Sequence, residues 1–291
     1  EGSKPGNTVL LRADMDALSI TEQNDFRYCS KNKNVMHACG HDGHMAMLLG
    51  AAKYLSESRS FKGTVMFVFQ PAEEEGNGAG KIIEEGYLKK YNVQKIFGLH
   101  NMPGLKEGQF VISDCYVMAA IDVFTITLTG KGGHGAMPHK AIDPVVVGAE
   151  IVQSLQTIVS RKLDPTEPAV ISVTSFMTGN ETYNIIPEKV ILKGTARYFN
   201  SDYTEKIKHH MTLILENIAK AHDVSVDFAF EHELGPVINT LDLAKECRNV
   251  ASELVGRDNI VSMAPSMGAE DFSLYLNEVP GVFARLGNGL D

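Results

Sequence analysis

Between Val35 and Tyr54 the chain runs Met36-His37-Ala38-Cys39-Gly40-His41-Asp42-Gly43-His44, four potential metal ligands set ahead of an apolar helical stretch. A lone Cys reads as a small buried hydrophobe, and a lone His as a surface or hydrogen-bonded core residue. A Cys-x-His pair with His on both sides reads instead as a metal centre, because thiolate and imidazole are the donors that zinc-like ions take. Three further segments bring donors of the same kind. Asp14 and Asp16 follow the run Thr8–Ala13, Gln70-Pro71-Ala72-Glu73-Glu74-Glu75 follows Thr64–Phe69, and His100-Asn101 follows Gln94–Leu99.

The elements that must position these residues are legible from patterning. Thr8–Ala13, Thr64–Phe69 and Gln94–Leu99 are short, nearly continuous apolar runs, as in strands buried on both faces. Helical spacing lies between them, over His44–Leu55 with Met47, Leu48, Ala51, Ala52 and Leu55 on one face, and again near Gly80–Leu88. The alternation predicts an α/β fold with a mostly parallel sheet. Open α/β sheets place their sites beyond the carboxyl ends of the strands, so three strand ends converge on one edge. From Ile121 the chain changes to polar–apolar alternation, Asp122-Val123-Phe124-Thr125-Ile126-Thr127-Leu128-Thr129, the period of a strand with one wet face. A helix over Pro144–Val159, strands near Ala169–Phe176 and Lys189–Tyr198, a helix over Asp202–His222 and a strand at Val224–Phe230 complete a β-α-β-β-α-β order, an inserted α+β unit of ferredoxin-like type. A helix over Leu241–Leu254 and short strands at Asn259–Met263 and Val282–Leu286 then return to the first domain. The expected boundaries are residues 1–118 for the metal-binding domain, 119–230 for the insertion, and 231–291 for the first domain continued.

Composition narrows the classes. A net charge of −9 argues against nucleic acid and anionic membrane surfaces. Cys29, Cys39, Cys115 and Cys247 are scattered, with no Cys-x-x-Cys, which excludes a disulfide scaffold and makes a reducing cytoplasm the expected compartment. No apolar run approaches the roughly 18 residues of a membrane span, and the first residues do not form a signal peptide. Strand-like patterns lie close to both ends and no Met opens the chain, so it reads as cut from a longer protein at each end.

Seven motifs carry a resemblance: Leu11-Arg12-Ala13-Asp14-Met15-Asp16-Ala17-Leu18, His37-Ala38-Cys39-Gly40-His41-Asp42, Gln70-Pro71-Ala72-Glu73-Glu74, Gly98-Leu99-His100, Gly130-Lys131-Gly132-Gly133-His134-Gly135, Asn184-Ile185-Ile186-Pro187 and Gly268-Ala269-Glu270-Asp271-Phe272. In this order they resemble the M20 metallopeptidase family, amidohydrolase subfamily, which includes N-acyl-amino-acid amidohydrolases, hippurate hydrolases, auxin-conjugate hydrolases and N-acetyldiaminopimelate deacetylases. The resemblance implies a metal-dependent hydrolase cleaving the amide bond of an N-acyl amino acid, or a C-terminal peptide bond. Its cofactors would be divalent metal ions, two of them, zinc or manganese. Cys39, His41, Glu74 and His100 would be the ligands, Glu73 the general base, and Asp16 would orient a ligand from behind. The insertion would be a lid and dimerisation domain, with His134 reaching a partner subunit's site in a homodimer to stabilise the oxyanion. Asn184 would assist there, and Arg197 would bind the substrate's carboxylate.

Some residues stand outside that scheme. Other M20 branches carry a His where Asp14 stands. His37 and His44 match the motif but are left out of the ligand set, and Glu270 and Asp271 carry no assigned role. His209, His210 and Cys247 read as ordinary helix residues. The family's last ligand is a His near the C-terminus, whereas this chain has no His after His232, and truncation is the expected reason. Gly130-x-Gly132-x-x-Gly135 formally matches a dinucleotide fingerprint, but Pro138 and Pro144 block the helix that a phosphate loop needs. Two other readings compete with the metal hydrolase: a Cys39 nucleophile paired with His41, and a non-catalytic binding homologue.

Overall fold

The computed structural model describes residues 1–74 and 76–290; Glu75 of the acidic run and Asp291 lie outside the described residues. In chain order the principal elements are β1 (Lys4–Asp14), α1 (His41–Ser58), β2 (Lys62–Gln70), α2 (Gly78–Glu84), β3 (Val93–Met102), β4 (Phe110–Val111), β5 (Ala120–Thr129) and α3 (Pro144–Arg161). They continue with β6 (Ala169–Met177), β7 (Lys189–Tyr198), α4 (Tyr203–Ala221), β8 (Ser225–Leu234), α5 (Leu241–Val255), α6 (Phe272–Glu278) and β9 (Gly281–Gly287). The chain forms two compact units: Glu1–Val117 with Val237–Ser266 and Glu270–Asp291, and Met118–Pro236 with Met267–Ala269.

In the first unit the sheet order is β2-β1-β3-β9-β4. β2, β1, β3 and β9 run parallel, and only the edge strand β4 is antiparallel. The fold is therefore α/β with a mostly parallel sheet. Continuous apolar runs become strands here because helices cover them: α1 packs on β1, β2 and β3, α5 on β9, and α6 on β3 and β9. Leu10 and Ile96 are fully buried as a result. Register then fixes the site. Asp14 pairs with Gln70 at the carboxyl ends of β1 and β2, and His100 on β3 pairs with Arg285 on β9. Close packing under β3 requires Gly98, where a Cβ would lie 2.7 Å from Phe283 and 2.8 Å from Phe272.

The second unit has an antiparallel sheet of order β8-β5-β7-β6. Its strands and its helices α3 and α4 follow one another as β-α-β-β-α-β, and the two helices pack on each other. The alternation along β5 puts Phe124, Ile126 and Leu128 into the core. There they meet Ile151, Leu155 and Ile158 of α3 and Ile207, Met211 and Leu215 of α4. Pro144 opens α3 and the Asp143 side chain accepts from Val145 N–H, so the helix start is set locally.

Several elements differ from the sequence reading. No strand forms over Asn259–Met263. A short 3-10 turn covers Arg257–Asn259, and Ile260 makes an isolated bridge to Phe110, beside a two-residue edge strand too short to template more. The helical stretch near Gly80–Leu88 breaks at Gly86, whose φ of 78° ends α2 before a short helix at Tyr87–Lys90. β8 runs to Leu234, so the second unit extends to Pro236 rather than 230. It also takes back Met267–Ala269, where Ala119 N–H donates to the Gly268 carbonyl. Among the described residues no helix is long and apolar enough to cross a membrane.

The packing under β3 gives a direct test. Gly98→Ala should destabilise the chain by about 1–3 kcal/mol, the usual range for overpacking a filled core. Urea denaturation of the two proteins side by side measures it, and equal midpoints would contradict the packing described.

Candidate metal centre

A charged residue inside the apolar run of β1 organises the first unit's site. Arg12 is 4% exposed. Its guanidinium pairs with Asp14 at 2.7 Å, Glu270 at 2.9 Å and Asp271 at 2.8 Å, and donates to Gln70 Oε1 at 2.9 Å. Gln70 Nε2 and the Ala79 N–H both donate to Asp271 Oδ2, and Tyr275 O–H donates to Gln70 Oε1. Burial disfavours the charged guanidinium, but Glu270, Asp14, Asp271 and Glu73 outweigh it and raise its pKa. Arg12 therefore stays cationic, as a buried ion surrounded by hydrogen-bonded counter-charges must. Glu270 and Asp271, which carried no role in the sequence reading, are its partners from the start of α6.

Asp14 passes this order to the histidines. Its Oδ1 lies 2.5 Å from His44 Nδ1. Burial pushes the Asp14 carboxyl up, but the His44 hydrogen bond and Arg12 more than offset it, leaving a pKa of about 2. His44 Nε2 accepts from the Asn101 N–H at 2.9 Å, so Nδ1 is the nitrogen that donates to Asp14. Both ring nitrogens are thus engaged, and Asp14, His41 and His44 form a further group with one donor atom each within 4.8 Å of one another.

Cys39, His41 and His100 bring one donor atom each to within 4.8 Å of one another, and His41, Glu73 and Glu74 do the same. Cys39 Sγ lies 3.5 Å from His100 Nε2. His100 Nδ1 donates to the Asn101 carbonyl at 2.5 Å, which leaves the Nε2 lone pair facing Cys39 Sγ. Burial also lowers the His100 pKa to about 4 against the pull of that carbonyl, keeping the ring neutral. His41 Nδ1 faces Asp16 Oδ1 at 3.3 Å, while Asp16 Oδ2 accepts from the Glu74 N–H at 2.9 Å. The structure thus gathers Cys39, His41, Glu74, His100, Glu73 and Asp16 in one place. His37 belongs to none of these groups.

The donor set fits a divalent ion. His41 Nε2 and Glu74 Oε1 are buried, have no hydrogen-bond partner, and lie 3.8 Å apart. Each unpaired buried polar atom costs about 1–3 kcal/mol, a cost that a shared cation removes. The Cys39 thiol points the same way. Burial, with Glu74, Glu73 and Asp14 nearby, pushes it up to about 12. A bound cation reverses that balance and supplies the thiolate. Glu73 is raised well above the usual carboxylate range by burial, which together with Asp271, Glu74 and Asp14 outweighs Arg12.

The remaining candidates lie in the second unit. Gly133–His134 pairs antiparallel with Ile185–Ile186, and Lys131 bridges Ile142. The Gly130–Gly135 stretch is therefore a β-arm with no helix opening from it, unlike a phosphate loop. His134 and Asn184 line one cleft of about 660 Å³. His134 Nδ1 accepts from the Ala136 N–H, which leaves Nε2 to carry the ring's proton. Arg197 stands on β7, where it donates to the Met267 carbonyl at 3.3 Å. His232, outside every family motif, pairs with the buried Asp122 at 2.6 Å. Arg12, Gln70 and Asn101 received no role in the sequence reading, and His44 was left out of the ligand set. Only Arg12 gave a signal, since a charge within a strand buried on both faces must find partners.

Comparisons with known proteins identify the family. The family model described as Peptidase family M20/M25/M40 matches residues 10–291. The chain is 38% identical over 291 residues to N-acetyl-L-cysteine deacetylase of Bacillus subtilis (strain 168), covering 100% of this chain and 69% of that one. It is 45% identical over 240 residues to N-acyl-L-amino acid amidohydrolase of Geobacillus stearothermophilus, covering 82% and 64%. The Bacillus subtilis YXEP protein, described as a dinuclear metal binding peptidase from the M20 family, superposes with a TM-score of 0.84 at 35% identity, over 99% of this chain and 74% of that one.

Removing the central cation should expose what it holds. Arg12→Met leaves Asp14, Glu270 and Asp271 buried without counter-charge and should cost about 3–5 kcal/mol. The deficit should grow as pH rises. Uncompensated carboxyls keep, in the folded chain, protons that the unfolded chain has already released, so stability present at low pH is lost above the unfolded carboxyl pKa. Urea unfolding at pH 5 and pH 8 reads both effects, and an equal loss at the two values would contradict the charge account.

Proposed function

As the chain belongs to peptidase family M20/M25/M40, we propose that it is a metal-dependent amidohydrolase that splits an N-acyl amino acid into a carboxylic acid and an amino acid. The observation that carries this reading is the convergence of Cys39, His41, Glu74 and His100 around two unpartnered buried donors, with Glu73 alongside. Two divalent ions, zinc or manganese, suit the reading, and a relative of 35% identity is described as dinuclear. Bound there, such ions supply Lewis acidity and lower the pKa of water to about 7.

The chain's own residues do the rest. Cys39, His41, Glu74 and His100 hold the ions, and Asp16 and the Asn101 carbonyl orient the two imidazoles. Glu73 takes a proton from the attacking water and returns it to the nitrogen of the leaving amine. Its burial, with crowding by Asp271, Glu74 and Asp14, raises its proton affinity, which suits a group that must both accept and give. His134 Nε2 and the Asn184 side chain donate to the oxyanion, and Arg197 pairs with the carboxylate of the amino acid. A cysteine nucleophile fares worse, because nucleophilic thiols need a lowered pKa and the Cys39 surroundings raise it. EDTA should therefore abolish turnover of an N-acetyl amino acid, and added Zn²⁺ or Mn²⁺ should restore it.

Substitution separates base from ligand. Glu73→Gln should keep its metal and lose about 100- to 10,000-fold in turnover, whereas Cys39→Ala should lose metal by elemental analysis. Near-native turnover in the first, or unchanged metal in the second, would defeat the assignment.

We assign His134 to the active site of a partner subunit in a homodimer, as the resemblance implies. His134→Ala and Glu73→Gln, each nearly inactive alone, should then recover activity when their subunits exchange. Each mixed dimer would hold one intact site of two, as two-fold symmetry requires. A mixture that exchanges subunits and stays inactive would mean that His134 acts within its own chain or not at all.

A further inference from the structure

Asn101 follows His100 on β3 and donates no ligand, yet its polar atoms reach both sides of the donor cluster. Its side-chain Nδ2 donates to the carbonyls of Cys39 at 3.0 Å and Gly40 at 3.1 Å, and lies 2.7 Å from His44 Nε2. Its backbone N–H donates to the same His44 nitrogen, and its carbonyl accepts from His100 Nδ1. Asn288 donates to its Oδ1 at 3.1 Å, so the amide oxygen is committed and the NH₂ group faces the Cys39–Gly40 turn. The turn is shaped to receive it. Gly40 has φ of 85°, and a Cβ there would fall 2.2 Å from Asn101 Nδ2.

The turn carrying Cys39 and the strand carrying His100 are thereby joined by one amide. The peptides on either side of Gly40 lie between two ligand positions, 39 and 41, and their carbonyls are the groups that Asn101 holds. We propose that Asn101 is a positioning residue of the metal centre, fixing the Cys39–Gly40 turn against His100 so that thiolate and imidazole stand at ligating separation before an ion binds. Arg12, Asp14 and His44 brace Asn101 from behind, and Asn101 hands that rigidity to the ligands. The inference rests on the metal reading above.

The test uses the full chain loaded with Co²⁺, whose thiolate charge-transfer absorption reports the Cys39 ligand. Asn101→Leu keeps much of the side chain's shape and removes its donor. Gly40→Ala breaks the same contact from the opposite side, by pressing a methyl against the Asn101 amide while leaving residue 101 itself unchanged. Each should weaken cobalt binding by about 10- to 100-fold in chelator competition, as outer-shell substitutions do. Each should also shift or diminish the thiolate band, and the double variant should be little worse than either alone. A merely structural role would lower the melting temperature of the metal-free protein and leave affinity and band unchanged, which would overturn the proposal. If Asn101→Leu fails to fold, Gly40→Ala decides by the same two readouts. A parent protein that binds cobalt while the variants match it defeats the positioning role alone. A parent that binds no cobalt defeats the metal reading and this inference with it.

Discussion

One buried guanidinium holds this site together. Arg12 sits in a strand whose neighbours cover it on both sides, and its fork spans Asp14 of its own strand, Gln70 at the end of β2, and Glu270 and Asp271 at the start of α6. Taking such a charge out of water is expensive unless every donor is matched. The matching ties together segments more than 200 residues apart in sequence. It also leaves a local excess of carboxylate, because Asp16, Glu73 and Glu74 stand close by with no guanidinium of their own. That excess is what a divalent cation would neutralise, and burial together with the nearby carboxylates pushes the Cys39 thiol and the Glu73 carboxyl upward.

Order propagates outward from this cluster of charges by hydrogen bonds. Arg12 fixes Asp14, Asp14 fixes the His44 ring, His44 receives Asn101, and Asn101 meets the Cys39–Gly40 turn and His100. The proposed ligands come last in this sequence of supports. The second unit supplies a different kind of group: an imidazole and an amide in one cleft, and an arginine on the sheet. Donors of that kind suit an oxyanion and a carboxylate rather than a cation.

Much of this was legible in the sequence because it follows local rules. Apolar runs ending in Asp14, Gln70 and His100 are parallel strands whose ends share an edge, and the alternation from Ile121 is a strand with one wet face. The Cys39-x-His41 pair stood out as a metal candidate by composition alone. What could not be read was contact between distant positions. Glu270 and Asp271 look like any acidic helix start until the fold sets them against Arg12. His44 shares the spacing of a ligand, and only the structure shows both its nitrogens hydrogen-bonded. Asn101 is one polar residue among many until the Gly40 turn closes on it. The expected strand at Asn259–Met263 failed for the converse reason, since a β-prone run without a long partner remains a bridge.

The central claim is that Cys39, with His41, Glu74 and His100, ligates a metal ion. X-ray absorption at the zinc edge of the zinc-loaded protein tests it most directly, because sulfur and nitrogen or oxygen scatter at distinguishable distances. The account predicts a sulfur at about 2.3 Å together with nitrogen and oxygen neighbours near 2.0–2.2 Å, the sulfur vanishing in Cys39→Ala. A shell of nitrogen and oxygen alone in the parent protein would place the metal elsewhere and contradict the account.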